Sequence, residues 1–490
     1  MTGFLRLLHA EWTKFRTVPG WVAGMTAAAL MLVLVALLAG ISSDQRGAPA
    51  VPIGPAGEPV TDSFFFVHRP LTGDGSIIVA VSGLTTRVPA GPGDLRPATV
   101  PWAKAGIIVK DGTGPGSPYA AIMVTGSHGV RMQHNYVHDQ AFVAAEPVQW
   151  LRLDRSGDTI IGYASADGTR WSKAGTVPVK AGPAAQGGLF VASPPAVAGQ
   201  GTTGSVSAAV FGDLRVRGSW AGGEWTGELL GAGSPTFAGV PDGGPGSFTE
   251  SGGRFTVTGT GDIAPAAIRY SLPTGGTIGT LLTGTFAALI TVIVVGVLFI
   301  TTEYRRKLIH VTLAATAQRG RVLLAKALVL GCLTFVAGLA GAAVAIPLGV
   351  RLARGSGVYI FPVTAATELR VALGTGALLA AASILALSFG AVLRRSAAAV
   401  TAVLLAIVLP YLLLANPFMP ASVTGWLGRV TPAAAFSVQQ TLVPFPQVTS
   451  VYTPYNDYYP LAPWAGLAVL AGYALAGLAV AAVVLHRRDA

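Results

Sequence analysis

The sequence predicts an α-helical polytopic membrane protein of six transmembrane helices, with one all-β sandwich inserted between the first and second. Three observations predict it. Hydrophobic residues make up 51% of the 490 positions and charged ones 11%, with mean hydropathy +0.58. Soluble domains carry about 25% charge, so this much apolar surface calls for lipid as solvent. Six stretches, about 22–41, 278–301, 327–349, 373–393, 397–415 and 463–485, contain no charge and are long enough to cross a hydrocarbon core of roughly 30 Å as helix. Between the first two, short β-like runs alternate with Gly/Asp turns.

The order that follows is a cytoplasmic amphipathic interfacial helix over 1–20, the first span over 21–42 and an extracytoplasmic β domain over 43–275. Spans two to six occupy 276–490, with a cytoplasmic loop over 302–326 and an external loop over 416–462. At the N-terminus Leu5, Leu8, Trp12 and Phe15 share one helix face, with Arg6, Thr13 and Lys14 turned away, the pattern of a helix lying on the inner leaflet. Pro19-Gly20 separates it from the span. The span is full length and is preceded by that basic helix, which argues against a cleaved signal peptide.

Orientation is written in charge. Residues 44–275 carry 17 acids and 16 bases, while the remainder carries 5 acids and 17 bases. The net +11 therefore belongs to the membrane part, and nucleic acid is not the partner it implies. Placing both termini in the cytoplasm puts Arg6, Lys14, Arg16, Arg305, Arg306, Lys307, Arg319, Arg321, Lys326, Arg394, Arg395, Arg487 and Arg488 inside. Only Arg351, Arg354, Arg370 and Arg429 fall outside, as positive-inside sorting requires.

In the insert, strands are expected over Ser76–Val81, Ala105–Val109, Tyr119–Val124, Val130–Gln133, Trp150–Leu153, Thr159–Ala164 and Ala208–Val216. Hairpin turns are expected at Ser156-Gly157-Asp158 and Asp167-Gly168. Cys332 is the one cysteine, so no disulfide staples this domain. Glu146, Asp154, Asp158, Asp167, Glu224 and Glu228 could supply a glycosidase pair, but most sit where turns favour Asp. His134 and His138 have the spacing of a metal pair on a helix; on a strand running Arg131–Tyr136 they would stand about 13 Å apart, and no metal is expected. Trp102, Tyr119, Trp150 and Trp171 could face a sugar ligand if exposed; in a disulfide-free sandwich most large aromatics pack the core.

The runs Phe66–Ser76, Trp102–Asp111, Trp150–Leu153, Gly162-Tyr163 and Asp167–Trp171 resemble the concanavalin A-like jelly-roll modules of secreted bacterial carbohydrate enzymes, over about 150 residues. Gly253–Ile263 resembles text that such modules carry ahead of the Arg69–Gly75 run, yet here it follows the module. Circular permutation would explain that order, and so would a coincidental Thr/Gly-rich strand.

The segments Leu8–Thr17, Thr301–Thr316 with Arg319–Lys326, and Thr431–Gln440 resemble type-2 ABC export permeases of the actinobacterial kind. That resemblance implies a bacterial plasma-membrane exporter subunit. Its loop at Glu303, Tyr304, Arg305, Arg306, Arg319 and Arg321 would dock on a separate ABC ATPase. The apolar Leu308, Ile309, Val311 and Leu313 between the charges favour docking over a purely topological role. No Gly-Lys dipeptide occurs, hence no phosphate loop and no nucleotide cofactor of its own. A homodimer or paired permease and membrane lipid are the other expected partners. The competing class is a non-transporting, membrane-anchored carbohydrate-binding or sensing protein.

Overall fold

The computed structural model describes residues 2–487 apart from 43, 92–93, 144–145, 183–184, 199–200, 221–222, 232–245, 307–317, 417 and 449–451. Two compact units emerge. One holds Met1–Ala48, Thr274–Leu442 and Tyr452–Ala490; the other holds Pro49–Pro273 with Val443–Val451.

In the helical unit six helices are long and apolar enough to cross a membrane: Pro19–Ile41, Ile278–Arg305, Arg319–Gly355, Ala365–Leu393, Ser396–Leu414 and Pro463–Arg487. Glycines let them approach. A Cβ on Gly296 of the second span would stand 2.7 Å from the Ser383 carbonyl of the fourth, and one on Gly376 of the fourth would stand 2.8 Å from the Phe335 carbonyl of the third. Packing through small residues is how helices associate in lipid, where no hydrophobic force drives them together. One apolar core runs through the bundle from Leu32 past Val292 and Leu378 to Leu470.

The N-terminal helix spans Thr2–Thr17, and of the face that the hydrophobic pattern marks Leu8 and Phe15 pack against the core. Phe15 is buried against Trp21 and Phe299, whereas Leu5 and Trp12 stay exposed and Glu11 goes inside. Beyond the fifth span lie a helix over Ala421–Val430 and a 3₁₀ turn over Pro432–Gln439, every residue of which is buried. There Gln439 Nε2 donates to Thr285 Oγ1 (2.8 Å) and Thr375 Oγ1 (3.0 Å), and Phe436 stacks on Phe286. Pro417, in this loop, lies outside the described residues.

The β unit is built of two antiparallel sheets, and every strand expected from the sequence is present. The first runs Ser172–Pro178, Thr159–Ser165, Trp150–Ser156, Gly75–Gly91, Val206–Gly218, Arg254–Gly259, Gly246–Ser251. The second runs Thr226–Leu229, Phe65–Pro70, Gln186–Ala192, Lys104–Lys110, Tyr119–Thr125, Val130–His134, His138–Phe142. Alternate residues of both, such as Val79, Leu153 and Phe211 from the first and Val67, Ile107 and Ile122 from the second, meet in one core, the arrangement of a sandwich. The late strand Arg254–Gly259 is part of it: Phe255 pairs with Phe211, and Phe255 and Val257 are buried.

The other face of the second sheet is also covered. Val60–Asp62 and Ile263–Pro265 pair antiparallel, Val60 opposite Pro265, and Val60 and Ile263 join Phe64, Ile108, Tyr119 and Phe190 in a second small core. Because both faces are buried, the Lys104–Lys110 strand has no exposed residue. Its two lysines are neutralised by the flanking pair of strands. Lys104 Nζ donates to Asp262 Oδ1 (2.6 Å) and to the Ile263 carbonyl (2.7 Å), and Lys110 Nζ donates to Asp62 Oδ2 (2.8 Å). Burying a charge is tolerated only when paired and hydrogen-bonded in this way.

Candidate functional site

The membrane part carries only five acids, and two of them meet. Glu11 from the N-terminal helix and Glu303 from the end of the second span both accept from Lys326 Nζ at the start of the third, at 2.7 and 2.6 Å. Lys14 completes the group, donating to Glu11 Oε1 (2.8 Å) and Glu303 Oε1 (3.2 Å). Lys326, Glu11 and Glu303 are all but fully buried, and the Lys326 ammonium lies 4.8 Å over the Phe299 ring. Desolvation lowers the Lys14 pKa, yet the two carboxylates outweigh it and the net shift is upward. Two bases against two acids leave the cluster neutral overall, which suits its burial.

This cluster grips both ends of the basic loop between the second and third spans. Glu303 is thus an internal partner rather than an exposed one. Tyr304 lies under the Arg394 guanidinium at 5.0 Å. Arg305 and Arg306 are exposed at the end of the second span, Arg321 is exposed on the third, and Arg319 donates to the Leu485 carbonyl (2.8 Å). Lys307 and the apolar Leu308, Ile309, Val311 and Leu313 lie outside the described residues. Glu11, Lys14 and Lys326 were not marked as site residues from the sequence. The readable signal was the scarcity of acids: a carboxylate spaced i, i+4 from a buried aromatic such as Phe15 needs a cation nearby.

In the β unit the marked aromatics separate. Tyr119 is fully buried, edge-on to Tyr136, and Trp102 is buried between His128 and the Arg131 guanidinium. Trp150 and Trp171 are half-buried, Trp150 beneath Arg215. Gly168 takes φ +71° in the expected Asp167-Gly168 turn and sits flat on the Trp150 ring, where a Cβ would come within 2.8 Å. Asp167 caps that turn; the Arg170 and Thr169 backbone N–H groups hold its carboxyl well below the usual range. Asp154 forms a two-bond pair with Arg152, and Glu228 meets His68 Nε2 at 3.0 Å.

The separation expected for His134 and His138 is wrong. The strand ends at His134, Asn135 and Tyr136 turn the chain with φ of +45° and +63°, and His138 pairs directly opposite. The rings stack with centroids 4.4 Å apart. A positive φ is unusual for tyrosine; here its hydroxyl is tethered inside, donating to Asp62 Oδ2 (2.8 Å). Among the described residues no group of three metal-ligating side chains gathers, at this hairpin or elsewhere. The turn's Val137 carbonyl accepts from Gln447 Nε2 (3.1 Å), in the segment that the loop between spans five and six contributes to this unit.

No protein-family model matches the chain, and no curated protein matches it in sequence.

Proposed function

We propose that the chain is the membrane-spanning permease subunit of an ATP-driven exporter, energised by a separate ATPase chain and working as a homodimer or paired permease. The observation that carries this reading is the Glu11–Lys14–Glu303–Lys326 cluster. It ties the N-terminal helix to both ends of the cytoplasmic loop, so force applied to that loop would reach the second and third spans at once. A loop serving only as a topology signal has no use for such a joint. Arg305, Arg306 and Arg321 stand exposed beside it as docking charges, suited to an acidic rim on the ATPase.

Both termini would be cytoplasmic in a bacterial plasma membrane, with the β domain outside. The loops on the opposite side from the cluster knit together in support of this. Gln45 N donates to the Ser356 carbonyl, Arg46 Nε to the Gly355 carbonyl, and Gly275-Gly276 pairs with Tyr359-Ile360. The outer domain is best read as a jelly-roll module, whose resemblance points to an envelope or carbohydrate ligand; Trp150 and Trp171 keep partly exposed rings for stacking.

The test is charge reversal of Arg305 and Arg306 to Glu in the intact chain, with membrane insertion checked. ATPase co-purification is expected to fall and export to cease. Undiminished co-purification with normal export would reduce the loop to a topology signal.

A further inference from the structure

Positive-inside sorting leaves Arg351 and Arg354 unexplained, because both lie at the outward end of the third span. Both guanidinium groups are exposed, and among the described residues neither makes an ion pair or a hydrogen bond. Spaced i, i+3, they are neighbours on the helix surface, where like charges repel unless an anion lies between them.

Below them the helix carries an exposed apolar stripe. Val344 and Leu348 are exposed one helical turn apart, and Arg351 follows three residues on, on the same face. From Ala327 to Arg351 the helix rises about 36 Å, so the arginines stand just beyond a hydrocarbon core of about 30 Å. Beside them opens a pocket of about 480 Å³ walled by Ile278, Pro347, Val350, Ile360 and Phe361, with Arg351, Arg354 and Glu368 its charged residues. Two cations, one carboxylate and an apolar wall meet where a lipid headgroup meets its chains.

We infer that this pocket binds an anionic phospholipid of the outer leaflet, its phosphate between Arg351 and Arg354 and one acyl chain along the Val344–Leu348 stripe. The pocket's net charge of +1 matches a headgroup of net −1. Glu368, also lining the pocket, can accept from hydroxyl donors such as those of a glycerol headgroup. The inference rests on the outward placement of this end and not on the exporter reading, which co-purification with the ATPase tests separately.

The experiment is native mass spectrometry of the purified full chain with phosphatidylglycerol or phosphatidylcholine of identical acyl chains, with inorganic phosphate as a third probe. With a net pocket charge of +1 and about fivefold per unit of charge near a membrane surface, phosphatidylglycerol should bind about fivefold more tightly than phosphatidylcholine. Arg351→Gln with Arg354→Gln should erase that preference, while Arg429→Gln, at an outward arginine outside the pocket, should retain it. Equal binding of the two lipids by the unaltered chain would overturn the assignment without any variant. So would displacement of the lipid by millimolar phosphate, which would mark a plain anion site. A double variant that changes only the oligomeric state would assign the face to a second copy of the chain and overturn it equally.

Discussion

Lys326 and Glu303 lie 23 residues apart in the chain and 2.6 Å apart in space, closing the ends of the loop between the second and third spans with a buried ion pair. Lys326 also serves Glu11, so its removal would strand two carboxylates in a dry site. Lys326→Met is therefore expected to destabilise the helical unit by about 3 kcal/mol or more. Adding Glu11→Gln and Glu303→Gln should recover most of that, because no uncompensated charge remains. Thermal melting of the detergent-purified protein decides it, and a Lys326→Met melt matching the parent would show that the site is solvated.

The β domain should fold apart from the membrane. A fragment of residues 49–273 is expected to be soluble and disulfide-free, since roughly 200 residues bury about 70% of their unfolded surface. Ending it at residue 245 should abolish that, because Phe255 and Val257 leave the core, Lys104 loses Asp262, and an unpaired sheet edge remains. Circular dichroism and gel filtration would report this, and equal behaviour of the two fragments would detach the late strands from the sandwich. Moving 246–265 in front of Val60 tests the permutation idea, which predicts a folded product with the same strand neighbours.

The buried lysines make a sharper test inside the same fragment. Burial lowers the Lys110 pKa although Asp62 opposes the shift. Asp62→Asn removes that opposition and leaves the buried cation with the neutral Ser117 carbonyl and Tyr136 hydroxyl as partners. The expected loss is about 3 kcal/mol at neutral pH, read as a lowered urea midpoint. A loss under about 1 kcal/mol would mean that water reaches Lys110.

His134 supplies a pH dependence. Burial first, and then neighbouring His138, lower its pKa from 6.5 to about 4. The unfolded chain takes up the proton near 6.5 while the folded one resists until about 4, so stability falls as pH drops through that window and is unaffected above it. Partial exposure limits the effect to roughly 1–2 kcal/mol. Urea midpoints of the fragment at pH 7, 5.5 and 4 should decline, and His134→Phe should flatten the decline. An equal slope in both proteins would place the effect elsewhere.

Orientation can be read with reporters. Fusions after Arg16, Lys307, Arg395 and Arg488 should be cytoplasmic and one near Gln200 external; Lys307, Arg488 and Gln200 lie outside the described residues. A cytoplasmic reporter at Gln200 would invert the proposed topology.

The spans and strands were legible because their signals are local. A charge-free run of 20 residues or an alternation of period two needs no knowledge of the rest of the chain. The ion cluster was not legible, since Glu11 and Lys326 are 315 residues apart and each alone reads as a surface charge. The His134–His138 geometry failed for a related reason. The strand assumption ran two residues too far, and Tyr136, held by its buried bond to Asp62, bends the hairpin where no Gly marks a turn. The burial of Lys104 and Lys110, which flank the expected strand, was not legible either, because their partners Asp262 and Asp62 are distant in sequence.

The pairing of Val60 with Pro265 has one more consequence. The chain enters and leaves the sandwich one strand spacing apart, about 5 Å. The more than two hundred residues between Val60 and Pro265 are bracketed by one pair of neighbouring residues, so the β unit closes where it begins. Loops at the far end of such a unit can lengthen or shorten without disturbing that closing pair.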